Sequence, residues 1–430
     1  MQLYCICSTS LTMKHRLLLL SSLSACTLTL QGHDQFEQLR QGRYAYTPFT
    51  ALSSPVVLPM DGKVEEADWL TGLDVSLADL IFPHVHMDTA YGTASLPQEE
   101  LAAGHHDPIR RDKFTVQNLE FSLSGRLNEY NEFFVTYAGP FGEGDVYDGI
   151  FEEWFWKLKN LPGGFEVRGG RVYNRFGIQN TYHVHGFDWV DQYLVNTRMF
   201  GDDSLTTIGA EITWLPPLPW TSQFDVAIGV APGHDEHDHG VFGGRFNPDE
   251  SHFAEDETVA VANWTNVWNW NDFHQFRGGV SGAWGENHSG FDTSVYGAHF
   301  EYQWRQNGFD PGGRYFRVRS EAMLSDFQVE DEFGLTDHPS AQRDFGAYLS
   351  LLYGFADNFE LGLRGDMVSG NWETGQDTRF RVSPGLTWYA NTARTLRLRL
   401  QYNCDQSNQR GTDHSVWAQC SLTWGGPEVR

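Results

Sequence analysis

The sequence predicts an all-β protein: a transmembrane antiparallel β-barrel of about sixteen strands, with short periplasmic turns and long extracellular loops. Three observations lead there. Side chains alternate with a period of two through many segments; Ile208, Ala210, Ile212 and Trp214 form one series, Thr207, Gly209, Glu211 and Thr213 the other. Aromatic residues make up 14% of the chain and glycine is abundant, yet no run of roughly eighteen apolar residues exists to form a membrane helix. A barrel conceals its hydrophobicity in this way, because only every second residue meets lipid. The connections between alternating segments, finally, are short and long by turns.

Composition excludes several other classes. The formal net charge is −26, so the basic footprint that nucleic acid requires is missing. A soluble propeller calls for a repeat of fixed period, and none is visible. No GxSxG, HExxH or phosphate-cradling loop occurs, so the chain is not expected to be an enzyme. Three of the five cysteines, Cys5, Cys7 and Cys26, precede the barrel. Cys404 and Cys420 fall on adjacent strands, with Cys404 opposite about Ser415 and Cys420 opposite about Arg399. That offset is too great for a disulfide.

Taken in order, residues 1–32 read as a leader. Its better start is Met13, because Lys14, His15 and Arg16 then precede the apolar Leu17–Leu23. Leu23–Cys26 has the form of a lipoprotein box; the alternative is ordinary cleavage near Gly32. Residues 33–73 hold no persistent period and read as a periplasmic arm, too short to fill a large receptor barrel. Residues 74–430 form the barrel. Its strands are read as Asp74–Phe82, Phe114–Leu127, Glu132–Ala138, Gly149–Asn160, Phe165–Tyr173, Leu205–Leu215, Ser222–Val230 and Thr258–Asn269. The second half follows as His274–Gly285, Phe291–Trp304, Arg314–Asp326, Asp344–Phe355, Phe359–Gly370, Arg379–Tyr389, Thr395–Asp405 and His414–Trp424. Compact turns begin at Asn128, Leu161, Ala356 and Ala390. Pro83–Lys113, Asn174–Ser204, Ala231–Glu257 and Phe327–Arg343 are the long loops. That asymmetry between rims is the pattern of a bacterial outer-membrane barrel.

Gly169 to Asn196, followed by GDD from Gly201 and a strand running into TWLPPLPW, also carries a family likeness. With HHDP at His105 and the closing HSVWAQCSLTW, this stretch resembles the zinc-regulated TonB-dependent outer membrane receptor family, itself similar to phosphate-selective porins. The resemblance runs from about Val75 to the C-terminus. It implies the barrel architecture and, for function, either a diffusion channel or an energised receptor.

Alternation assigns the two faces. Outward placement of the apolar series avoids charge at mid-bilayer, worth roughly 2–4 kcal/mol per Lys or Arg. Inward, as candidate pore-lining residues, go Arg126, Glu211, Arg317, Arg319, Glu321, Arg364, Asp366, Arg379, Arg381, Arg397 and Arg399. Arginines crowd the later strands, while Glu120, Glu153, Glu166, Glu211 and Asp225 come from the earlier ones. The two groups either set up a transverse field or pair locally between neighbouring strands. Whole-chain acidity points to cations and the lumen arginines point to anions; the lumen charges weigh more, being close to a permeating solute and unscreened.

Asn174–Ser204 is the third long-side loop, the one that in many porins folds inward. As a constriction it presents His183, His185, Asp188, Asp191 and Arg198 to the channel; the alternative is a lid on the outer rim. His234, Asp235, His237, Asp238 and His239 crowd the next long loop, with donors suited to a divalent metal such as zinc. His84, His86, His105 and His106, placed in the first long loop, could join them above the pore. The alternative is a solvated acidic loop. Beyond transient Zn2+ on these loops no cofactor is expected. The expected partners are outer-membrane lipid and small hydrophilic solutes or ions, with a homotrimer the common assembly.

Overall fold

The computed structural model describes residues 81–96, 113–141, 147, 149–201, 204–231, 257–286, 291–309, 313–329, 340–370, 377–391 and 394–425. The predicted leader (1–32), the arm (33–73) and the histidine cluster His234–His239 lie outside these residues, as do His105 and His106.

The first eight strands are β1 (Ile81–Ala94), β2 (Phe114–Arg126), β3 (Asn131–Gly139), β4 (Ile150–Leu161), β5 (Phe165–Tyr173), β6 (Thr206–Trp214), β7 (Thr221–Ala231) and β8 (Glu257–Asn271). The second eight are β9 (His274–Glu286), β10 (Asp292–Arg305), β11 (Tyr315–Val329), β12 (Ser340–Ala356), β13 (Phe359–Val368), β14 (Arg379–Tyr389), β15 (Leu396–Ser407) and β16 (Gly411–Gly425). Each pairs antiparallel with its sequence neighbours, and β1 closes on β16, from His84 opposite Gly425 to Ala94 opposite Ser415. Closure leaves no edge of unpaired backbone groups, as hydrocarbon requires.

The alternation seen in the sequence becomes an inside-out distribution. Leu361, Leu363, Leu398 and Leu400 stand exposed on the outside, whereas Arg364, Arg397 and Arg399, their immediate neighbours, are buried inside. In water each exposed leucine forgoes about 1.5–3 kcal/mol of burial; against lipid tails that penalty vanishes. Aromatic side chains ring the short-turn rim, among them Trp156, Phe165, Trp214, Trp220, Trp268 and Trp424, and Tyr91, Phe114, Trp284 and Tyr296 mark the other. Such belts sit at the two headgroup levels of a membrane-spanning barrel.

The first strand departs from expectation. Asp74–Phe82 is the predicted element, with His84 and His86 in the loop beyond it; instead β1 runs Ile81–Ala94 and both histidines face the lumen, buried. Its inward series is His84, His86 and Asp88, so polar residues on the lumen face make a strand look like a loop. Cys404 stands opposite His414 and Cys420 opposite Leu398, one residue from the expected register, and both thiols are free.

Two β-bulges change which side chains enter the lumen. Between β3 and β4, Thr136 pairs with Glu153 and Tyr137 with Phe151, which leaves Glu152 as the extra residue. Glu152 and Glu153 are therefore both buried in the lumen. The same device between β1 and β2 turns both Gln117 and Asn118 inward.

Candidate functional site: the loop inside the barrel

Residues 174–201 and 204–205, between β5 and β6, fold into the barrel and carry two 3-10 turns, Gln179–Thr181 and Val184–Gly186, and a short helix, α1 (Leu194–Phe200). From Phe176 to Phe200 nearly every residue is buried. The rim-lid alternative is not what the chain adopts. The loop's base is tied by Asn180, whose Nδ2 donates to the carbonyls of Asn174 and Leu205 while its Oδ1 accepts from the Leu205 amide at 2.7 Å.

Apolar packing seats the helical part. Phe176, Trp189, Tyr193, Leu194, Val195, Met199 and Phe200 share one core with wall residues that include Val259, Val295, Met323, Leu352 and Val368. The lumen is thus polar only in part, because the wall beneath α1 is apolar. Trp189 lies over Gly362 and Gly385, where an added Cβ would come within 2.7 and 3.0 Å of its ring. Its Nε1 donates to Ser350 Oγ at 3.1 Å, and the Arg364 guanidinium lies 5.2 Å from the indole centroid.

Two aspartates anchor the loop to the basic side. Asp188 meets Arg317 Nη2 at 2.5 Å and Arg319 Nη1 at 2.9 Å. Asp191 meets Arg364 Nη2 at 2.8 Å and Arg381 Nη1 at 2.6 Å, and it accepts from Gln401 Nε2 and Asn403 Nδ2 at 2.7 and 2.9 Å. Arg397 donates to the carbonyls of His185 and Phe187, and Arg399 donates to that of Phe187. Burial opposes charge on Asp188, but Arg317 and Arg319 outweigh it and hold the carboxyl below its ordinary range. A backbone nest completes this side. The amides of Ile178 and Gln179 each donate to the Glu321 carboxylate at 2.8 Å, with Gly177 at φ +63° making the turn.

On the acidic side the loop offers histidines. His183 Nδ1 lies 2.8 Å from Glu152 Oε2 and 3.5 Å from Glu120 Oε1, and its Nε2 lies 2.9 Å from Glu153 Oε2. His185 Nδ1 is 2.6 Å from Glu120 Oε2, and its ring stacks on His86 at 3.8 Å between centroids.

All the predicted pore-lining residues face the lumen, but the loop and its ion pairs cover most of them. Arg317, Arg319, Arg364 and Arg381 are at most 2% exposed. At this level they form the bed on which the loop lies, with no open water beside them. Elsewhere the charges pair locally: Arg126 with Glu132 near the short-turn rim, Arg168 and Arg175 with Glu211, Arg364 with Asp366, and Arg379 and Arg381 with Asp405. Arg198 caps the far end of the loop, donating to the carbonyls of Ser369 and Asp377. Sequence reasoning passes over Asp88 and Glu152. A signal for Glu152 is present, since two consecutive glutamates between Phe151 and Trp154 break the period by one residue, as a bulge does.

No family model matches the chain. In sequence it is 30% identical over 151 residues to an uncharacterized protein of Aquifex aeolicus, a match spanning 34% of this chain and 30% of that protein's length. In structure it resembles the anion-selective porin from Comamonas acidovorans, with a TM-score of 0.50 and 10% identity, covering 80% of this chain and 99% of the porin. It resembles equally the high-pH structure of Pseudomonas putida OprB, at TM-score 0.50 and 10% identity, with 81% and 94% covered. At such identity the likeness is one of fold: the closed sixteen-strand barrel of the outer-membrane porins.

Proposed function

We propose that the protein is a porin-like channel of the bacterial outer membrane, passing small hydrophilic solutes or ions by diffusion, with the 174–205 loop as its constriction. The observation that carries this reading is a lipid-fit barrel whose interior is lined by charge and crossed by a loop tied to opposite walls. The loop sets the bore. The anion-selective porin and OprB, which share the fold, support the same reading by analogy. The receptor alternative suggested by the family resemblance rests on His234–His239, which lie outside the described residues.

Planar-bilayer recording of the refolded protein tests the proposal. Small ohmic steps are expected, with a larger step when residues 181–200 are replaced by a short glycine-serine linker. A wild type and a loop-replaced variant that are both silent, though folded, would sink it.

A further inference from the structure

The loop meets the acidic wall in a cluster that nothing in the channel reading requires. His86, Glu120 and His185 bring one donor atom each to within 4.8 Å of one another, and Glu120, Glu152 and His183 do the same. All five residues are buried, and the two triads share Glu120. They use opposite oxygens of that carboxylate: Oε2 faces His185, and Oε1 faces His183. We propose that this junction is a divalent-metal site of two adjoining positions bridged by Glu120, one held by His86 and His185, the other by His183 and Glu152.

The donor set is imidazole and carboxylate, which suits zinc, cobalt and similar ions. Bonds of 2.0–2.1 Å in a tetrahedron place ligand atoms about 3.3 Å apart. His185 and Glu120 are hydrogen-bonded at 2.6 Å, whereas His183 Nδ1 and Glu152 Oε2 approach to 2.8 Å without hydrogen-bond geometry. A metal seated there parts the two pairs by roughly 0.5–0.7 Å, and the parallel His86 and His185 rings turn out of their stack so that both in-plane lone pairs reach one ion.

The surroundings independently have the form of a ligand shell. A metal-bound histidine characteristically has a carboxylate behind its second nitrogen. His183 has Glu153 there at 2.9 Å, and Glu153 is itself fixed by the Tyr173 amide at 2.8 Å. His86 Nδ1 is held by Thr423 Oγ1 at 3.1 Å. Glu120 is oriented by the Ser122 and Thr136 hydroxyls at 2.9 and 3.2 Å and by the Asn118 amide at 3.3 Å. His86, Glu120 and Glu152 come from the wall, His183 and His185 from the loop, so a bound ion staples the two together.

The test uses the full chain folded in detergent, stripped with a chelator, with His234, His237 and His239 changed to Ala to remove the surface cluster. Zn2+ is titrated calorimetrically, and Co2+ is followed by its visible spectrum. Two equivalents are expected. E120Q should lose both, and H86N and H183Q one each. E153Q should keep both equivalents but weaken one about 10–100-fold. Shifted gel mobility on heating identifies the folded form of every variant; if E120Q does not fold, the H86N/H183Q pair takes its place. An unchanged stoichiometry in E120Q or in that pair overturns the proposal, as does a folded parent that binds fewer than two equivalents. Binding is read without conductance, so failure here leaves the channel reading standing, and the reverse also holds.

Discussion

The basic and acidic halves of the barrel grip the same loop by different chemistry. Toward β11–β15 the contacts are carboxylate to guanidinium, permanently charged on the arginine side, with Asp191 meeting four side-chain donors at once. Toward β1–β4 they are imidazole to carboxylate, the same groups that form the proposed metal site. One half is a fixed anchor and the other an adjustable clasp. Position in the membrane does not separate them, because both face the lumen and both are buried.

Breaking the fixed anchor should have the largest effect. Asp191→Ala takes one of two carboxylates from each of Arg364 and Arg381, which keep Asp366 and Asp405. The cost should fall below that of a fully unpaired buried charge, about 3–5 kcal/mol. The barrel wall does not need this pair to close, so much of the cost should appear as loop release. Lower urea resistance of the loop and a larger single-channel step are expected. Asp188→Asn combined with Asp191→Asn should also remove two negative charges from beside four lumen arginines and move the reversal potential in a salt gradient toward anions. A double variant with wild-type step size and potential would show that the anchor does not set the bore.

A smaller loss is expected at the nest. Gly177 has φ +63°, and a Cβ there would overlap Glu321 Oε2. Gly177→Ala therefore strains the turn by about 1–2 kcal/mol and displaces the carboxylate that the Ile178 and Gln179 amides hold. Step size should become heterogeneous from channel to channel, while the folded barrel persists by gel mobility. Uniform wild-type steps would mean that the nest contributes nothing to holding the loop.

The two halves are also unequally legible in the sequence. Strict alternation holds through β13, β14 and β15, so Arg364, Arg381 and Arg397 can be turned inward from the pattern alone. On the acidic side the pattern fails twice. In β1 the inward series is histidine and aspartate, which reads as loop; in β4 a bulge adds Glu152, which no fixed period can place. The partners of the loop are not legible at all. Nothing in the spacing of Asp188 and Asp191 says that one reaches β11 and the other β13 and β14, because closure of the barrel sets those meetings, at separations of 129 to 190 residues in the chain.

The smallest effect is expected on mild acidification, and it separates the halves most cleanly. Asp188 is held below the ordinary carboxylate range by Arg317 and Arg319 against the opposing effect of burial. A carboxyl depressed in the folded state contributes stability that is complete above its unfolded value, about 3.9. That stability is lost only as pH falls through the lower, folded value. Between pH 7 and pH 5 the Asp188 anchor should therefore hold, and any change in conductance there should persist in Asp188→Asn, since this carboxyl does not titrate in that window. Below about pH 4 the Asp188 contact should begin to release in the wild type, and Asp188→Asn, which keeps only the Asp191 carboxylate as anchor, should lack the Asp188 contribution to that step. A transition between pH 7 and pH 5 that the substitution abolishes would place the titrating group on the wrong wall and undo the distinction between anchor and clasp.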